Sequence, residues 1–331
     1  MSGRSDDVSD IDAPDVDTPD VDTPTRGDGM GRPLVSVVIP TYAHADLVEE
    51  TLDSVFAQTY RHLEVIVVND GSPDDTARVL EPIAATGRMR YVEQENRGQG
   101  AARNRGLADA TGRYVAFLDD DDLWPPDKLA WQVARLEADA GAVMAYGHHG
   151  KLLPDGTLEV DDPIPYRPSG DALREFRLRN WLLSPGQTLM RTSDVRALGG
   201  FDPAIWGSDD WDLYVRLAAR GRFLFEPRVA LHYRLHGGNA SRQAIRHARN
   251  HMRVAWRHIG WNLPLLVRHQ RLAAGYFVPN LLRLASEKRA AGEHDVAVRA
   301  DLHALCFRPS LAVRPWYLKN VLRSRLGRPA D

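Results

Sequence analysis

The sequence predicts an α/β fold, a Rossmann-like and mostly parallel sheet flanked by helices, with a helical region after it. Three observations carry this. Between residues 35 and 146, short β-branched runs alternate with helical apolar spacing, the pattern of parallel strands joined by crossover helices. Those runs end in polar or acidic residues, and the carboxyl ends of strands in an open α/β sheet are where ligands bind. The chain has 331 residues, 43% of them hydrophobic, enough for one large domain or two small ones.

Residues 1–32 are rich in Asp, Pro, Thr and Gly and repeat DVDTP. A segment so poor in large apolar side chains cannot bury enough surface to fold alone, so a disordered acidic tail is expected. Val35, Val37, Val38 and Ile39 then form a strand that stops at Pro40, Thr41 and Tyr42, and Leu47, Val48, Leu52, Val55 and Phe56 follow at helical spacing. A second strand, Leu63 to Val68, ends in Asn69, Asp70, Gly71 and Ser72, ahead of a second helix. A third, near Met89 to Val92, leads through the loop NRGQG to a helix beginning AARNRGL. Tyr114 to Leu118 read as a buried fourth strand and Ala142 to Tyr146 as a fifth.

Beyond residue 150 the alternation weakens. Residues 184–191 and 226–236 read as strands, and from about residue 241 the chain is helical, basic and Trp-rich. The expected organisation is therefore a tail (1–32), a sheet domain (33–240, with halves 33–150 and 151–240) and a basic helical region (241–331).

Charge is unevenly placed. Residues 1–32 carry nine Asp against three Arg, whereas residues 241–331 carry 17 Lys and Arg against five Asp and Glu, a balance of +12. Such a surface meets something anionic or is simply a solvated helical face. A single cysteine, Cys306, excludes an internal disulfide framework and fits a reducing cytosol. No secretory signal is expected, and no run reaches the roughly 20 apolar residues of a membrane span.

The chemistry concentrates in acidic groups. Asp119, Asp120, Asp121 and Asp122 emerge together at the end of the fourth strand. Four adjacent carboxylates repel one another unless a hard cation or solvent lies between them. One of them, Asp122 for instance, can serve as a cap for the helix that follows Pro125 and Pro126. Asp70 sits where ribose hydroxyls or a base edge would be met, or else makes an Asx turn with Gly71. In SDDWDLYVRL, Ser208 can cap a helix whose first turn holds Asp209, Asp210 and Asp212. Trp206 and Trp211 flank the acid pair, and desolvation by their rings would raise a carboxylate towards the range of a general base. No GxGxxG follows the first strand and no GxxxxGK[ST] occurs, which argues against a dinucleotide oxidoreductase or a P-loop NTPase.

In order, VSVVIPTY, EVIVVNDGSPDDT, NRGQGAARNRGL, GRYVAFLDDDDLWPPDKL, GGFD, SDDWDLYVRL and HYRLHGGNAS resemble the inverting family 2 glycosyltransferases of GT-A fold, over roughly residues 34–241. The resemblance implies that Pro40, Thr41 and Tyr42 line a nucleoside pocket, that Asp70 holds the uracil or ribose, and that Arg103 lies near the diphosphate. It makes Asp119 and Asp121 the D-x-D pair, with Asp121 the first choice as metal ligand and Asp120 available to ribose. It makes Asp210 the catalytic base, with Asp209, where the family has Glu, and Trp211 on the acceptor side, and gives His236 to the metal or diphosphate.

The expected cofactor is Mn²⁺ or Mg²⁺. The expected partners are a nucleotide-diphosphate sugar, UDP preferred from the family alone, and a glycan or lipid-linked acceptor, with no nucleic acid. The processive enzymes' Gln-x-x-Arg-Trp motif is absent, so one sugar per encounter is expected. Trp256, Trp261, Phe277, Trp316 and Tyr317, interleaved with Arg, either belong to the core or rest on the anionic inner face of the cell membrane, which would place a cytoplasmic protein at that surface. A nucleotidyltransferase and a noncatalytic sugar-nucleotide binder are the competing readings.

Overall fold

A computed structural model of the protein describes residues 31–236 and 243–325. The acidic tail, except for its last two residues, lies outside the described residues. Strands β1 (Val35–Thr41), β2 (Leu63–Asn69), β3 (Arg90–Glu93) and β4 (Tyr114–Phe117) run parallel in the order β3-β2-β1-β4. Helices α1 (Val48–Phe56), α2 (Thr76–Ala85) and α3 (Gln99–Asp109) cross between them, as the alternation of sequence periods predicts. Every residue of β1 is buried, because the sheet is covered on both faces and a central strand is largely apolar; its Ser36 hydroxyl is satisfied by Glu64 and the Gly112 amide.

The second half adds antiparallel pairing. After α4 (Lys128–Ala138) comes the long β5 (Ala142–Leu152), hairpinned to β6 (Leu158–Glu159). Helix α5 (Leu173–Leu178) precedes β7 (Thr188–Arg191), which runs antiparallel between β4 and β5. After α6 (Thr192–Ala197) and α7 (Asp209–Ala218), β8 (Arg222–Arg234) returns parallel to β5.

Two expected strands differ in extent. Residues 185–187 form a 3₁₀ turn, because Pro185 has no N–H to pair and Ser184 and Gln187 cap each other's backbone reciprocally; the strand starts at Thr188. Strand β8 begins at Arg222, ahead of the expected 226, and its register against β5 shifts between Phe225 and Val229. Pro227 falls in that bulge, where a missing donor costs no ladder bond.

Helices α8 (Ala244–Ile259), α9 (Leu263–Ala290), α10 (His294–Phe307) and α11 (Pro315–Arg325) complete the chain. The described residues from Pro33 onward form one compact unit. Val254, Ala255 and Ile259 of α8 share a core cluster with Phe117 of β4, Met144 of β5 and Trp211 of α7. The tail aromatics divide: Phe277 and Tyr317 are buried, whereas Trp256, Trp316 and above all Trp261, 87% exposed, face solvent. No described helix is long and apolar enough to cross a membrane.

Candidate active site

The parallel half of the sheet delivers its strand ends to one rim. There the chain after β4 places the four aspartates, and the structure gives each a different set of partners. Asp119 Oδ1 accepts from Arg103 Nη2 at 2.5 Å, and its Oδ2 accepts from the Ser184 hydroxyl at 3.1 Å. Asp120 is tied to the loop after β1, accepting from the Tyr42 amide at 3.1 Å and lying 2.8 Å from His44 Nδ1. That hydrogen bond, and then the charge of Asp120 against the opposing effect of burial, raises the His44 imidazole to about 9. Asp121 Oδ2 lies 2.8 Å from His236 Nε2.

Asp122 is enclosed. It accepts from the Arg234 amide at 3.0 Å, its Oδ2 has no partner among the described residues, and burial with the neighbouring carboxylates pushes its pKa well up. It does not cap α4, which opens five residues later at Asp127. Asp121 is also raised, by burial first and then by the charges of Asp119 and Asp120.

His44, Asp121 and His236 each present a ligand atom, all within 4.8 Å of one another. Two of the expected metal residues therefore meet, while Asp119 is turned away into the Arg103 clamp. The third member, His44, was not singled out from sequence. Its only signal was its position in the loop just past the end of β1, next to Ala43, which holds the left-handed φ of 58° that non-glycine residues avoid.

Of the three residues expected in the nucleoside pocket, Pro40 and Thr41 are buried within β1 and only Tyr42, 46% exposed, opens a side chain to solvent. Asp70 is buried. Its Oδ1 accepts from Gln94 Nε2 and the Arg97 amide and its Oδ2 from the Gly98 amide, at 2.7 to 2.9 Å. It thereby ties β2 to the loop ahead of α3, and the side chain that bends the chain at this strand end is that of Asn69, whose Oδ1 accepts from the amide of Ser72, three residues on, at 3.0 Å.

The acidic group on α7 departs from expectation in two places. Ser208 makes no side-chain cap, its hydroxyl being buried without a partner among the described residues. Asp209 is not acceptor-facing: it is 1% exposed and pairs with Arg103 Nη1 at 3.0 Å. Trp211 is not acceptor-facing either. It is fully buried, donates through Nε1 to the Phe176 carbonyl and stacks on His251 and His269 at 4.3 and 5.5 Å. Consecutive helical residues point about 100° apart, so Asp210 and Trp211 cannot share a face.

Arg103 is wholly enclosed and spans Asp119 and Asp209. Burial alone would lower its pKa, but the two carboxylates outweigh that and hold it above the usual value. Asp210 remains. Burial, then the charge of Asp209, lifts it to about 7, against the pull of Arg103. Its Oδ2 accepts from Asn180 Nδ2 at 3.1 Å and its Oδ1 from the Trp211 amide at 2.7 Å. One pocket is lined by Asp119, Arg103 and Ser184 together with Asp210, Trp206 and Tyr276.

The model of "Glycosyl transferase family 2" matches residues 36–197. An uncharacterized glycosyltransferase of Rickettsia typhi, RT0329, is 30% identical over 217 residues, covering 64% of this chain and 67% of the relative. The chondroitin synthase of Pasteurella multocida is 28% identical over 219 residues, 63% of this chain but 21% of its own. The chain spans about a third of the length of the glycosyltransferases it matches in Rickettsia felis, R. conorii and R. bellii. Among solved structures, S. aureus TarS 1-349 in complex with UDP-GlcNAc superposes with a TM-score of 0.62 at 17% identity, covering 89% of this chain and 92% of that one. Mannosyltransferase PcManGT from Pyrobaculum calidifontis, in complex with GDP-Man and Mn²⁺, gives 0.53 at 25% identity, covering 89% and 74%. With the parallel strand ends, the ordered motifs and these matches together, the chain belongs to glycosyl transferase family 2 and has the GT-A fold.

Proposed function

We propose that the protein transfers a sugar from a nucleotide-diphosphate donor to an acceptor hydroxyl with inversion, one residue per encounter, and that Asp210 is the general base. The observation that carries this is a carboxyl group lifted to about 7 in the pocket that also holds Asp119 and Arg103. A base poised near neutral pH combines the ionised form with useful proton affinity. Asn180 and the Trp211 amide hold Asp210 in place while it takes the proton from the acceptor oxygen, which attacks the anomeric carbon opposite the diphosphate.

Asp121, His236 and His44 present a mixed donor set within 4.8 Å for a divalent cation: the raised Asp121 carboxyl would gain by coordination, and His44, held at about 9 by Asp120, would have to release its proton to join it. Such a set suits Mn²⁺ better than Mg²⁺, which favours oxygen. A cation bound there would neutralise charge developing on the departing diphosphate. A complex of the similar PcManGT contains GDP-Man and Mn²⁺, in line with this reading, and TarS was solved with UDP-GlcNAc, so a UDP-sugar remains the first donor to try.

The test is a screen of UDP-, GDP- and dTDP-sugars for hydrolysis and transfer with and without EDTA. Metal-dependent release of nucleoside diphosphate is expected. Asp210→Asn is expected to lose about 10²- to 10⁴-fold in turnover while still binding donor. Near-normal transfer by that variant removes Asp210 as the base; pyrophosphate made from a nucleoside triphosphate would favour a nucleotidyltransferase, and binding without turnover a noncatalytic sugar-nucleotide protein.

We also propose peripheral association with the anionic inner face of the cell membrane, where a cytoplasmic protein meets lipid-linked acceptors. Support comes from Trp256 and Trp261, solvent-facing and edge to face at 4.7 Å, within a region carrying +12. Sedimentation with phosphatidylglycerol vesicles but not phosphatidylcholine vesicles is the expected result, and loss of that difference in wild type would sink the idea.

A further inference from the structure

The pocket beside Asp210 is walled by residues that the family match does not reach. Trp206, Tyr233, His247 and Tyr276 line it, and all four lie beyond the matched residues 36–197. Trp206 follows the GGFD segment, Tyr233 lies near the end of β8, and His247 and Tyr276 come from α8 and α9. The helical region is thus part of the site.

These walls hold one another. His247 meets Tyr276 edge to face at 5.9 Å and Phe277 at 5.2 Å. The Arg246 guanidinium lies over the Trp206 ring at 4.4 Å, and Asn250 Nδ2 donates to the Trp206 carbonyl at 2.7 Å. Gly207, at φ 75°, brings the backbone past His247 where a β-carbon would stand 3.7 Å from Cδ2. Burial lowers His247 to about 4, so its ring is neutral at pH 7.

Aromatic rings carrying polar tips suit one class of partner. A pyranose offers a C–H face to stack on a ring and equatorial hydroxyls to meet an indole N–H, a phenol or an imidazole. An alkyl or polyprenyl chain would cover those tips without giving them hydrogen bonds, which is costly. We propose that Trp206, Tyr233, His247 and Tyr276 form the acceptor subsite, and that the acceptor presents a pyranose ring there, whatever carries that ring further out. This rests on the transfer reaction proposed above, since it is Asp210 that the ring's hydroxyl must reach.

The experiment is saturation-transfer-difference NMR on the full chain with UDP and Mn²⁺ present, using methyl pyranosides of glucose, galactose, mannose and N-acetylglucosamine as probes. Signal on the ring C–H protons of at least one pyranoside is expected. Tyr276 is 47% exposed, so its truncation can be made without emptying the core. Tyr276→Ala should weaken that pyranoside's binding about tenfold, and Tyr276→Phe, which keeps the stacking ring and loses one hydrogen bond, should weaken it less, by about two- to fourfold. No signal from any of the four probes, equal binding by Tyr276→Ala, or loss in Tyr276→Phe equal to that in Tyr276→Ala, each overturns the subsite. Donor turnover is read separately. A wild type that binds a pyranoside through Tyr276 but turns over no nucleotide sugar defeats the transfer reaction and leaves the saccharide subsite standing.

Discussion

Asp210 is half-ionised near neutral pH because burial and the charge of Asp209 lift it to about 7. A base must be deprotonated to accept, so kcat/KM should rise with pH through about 7 and level above it. A pH–rate profile checks this, and the residual activity of Asp210→Asn should lack that limb. Arg103 invites a stability test. Arg103→Met would leave Asp209, 1% exposed, as an unpaired buried carboxylate, a loss of about 3–5 kcal/mol read from urea unfolding. Asp209 is already raised in the folded chain, by burial first. Its folded form therefore binds protons above the unfolded carboxylate range, and the deficit should shrink as pH falls, because a neutral Asp209 has no charge to leave unpaired. The candidate site was legible where spacing marks a strand end or a helix start, as for Asp121 and Asp210. It was not legible where two residues distant in sequence converge: His44 gives no pattern of its own, and Trp211 looked acceptor-facing only until its helical angle was fixed.

Helix α3 is set by how closely it approaches β1. A β-carbon on Gly106 would stand 2.3 Å from Val38 Cγ1, and Val38 is fully buried in a strand paired on both sides. Gly106→Ala gains about 1 kcal/mol in helix propensity but must push α3 off the sheet, so net destabilisation of about 1–3 kcal/mol is expected in urea unfolding. The displacement would also move Arg103, one turn earlier on α3. The parallel strands and their helices could be read from sequence because a two-sided buried strand leaves an unbroken β-branched run. The antiparallel half was less legible. Pro185 and Pro227 interrupt residues that otherwise look extended, and only pairing partners show that the first lies in a turn and the second in a bulge.

For the molecule as a whole, the helices after residue 243 cover a face that would otherwise be open. Trp211 lies against His251 and His269, and Val254 and Ile259 join the cluster that contains Phe117. A chain ending at residue 242 is expected to lose cooperative thermal unfolding and to bind 8-anilinonaphthalene-1-sulfonate, both measurable against the full chain. Sequence placed these helices as an appended basic region because charge, which is visible, lies on their exposed side. The inward side of α9 and α10 is largely small alanines with a few aromatics, such as Ala273, Ala300 and Phe277, which carry little periodic signal.

Arg103 joins Asp119, 16 residues away, to Asp209, 106 residues away. It therefore acts as a compatibility lock between the two halves of the chain. Recombining the first half of one family member with the second half of another would separate the cation from one of its carboxylates. Only parents that share the whole trio would yield a chimera in which the strand-end rim and helix α7 still settle against each other.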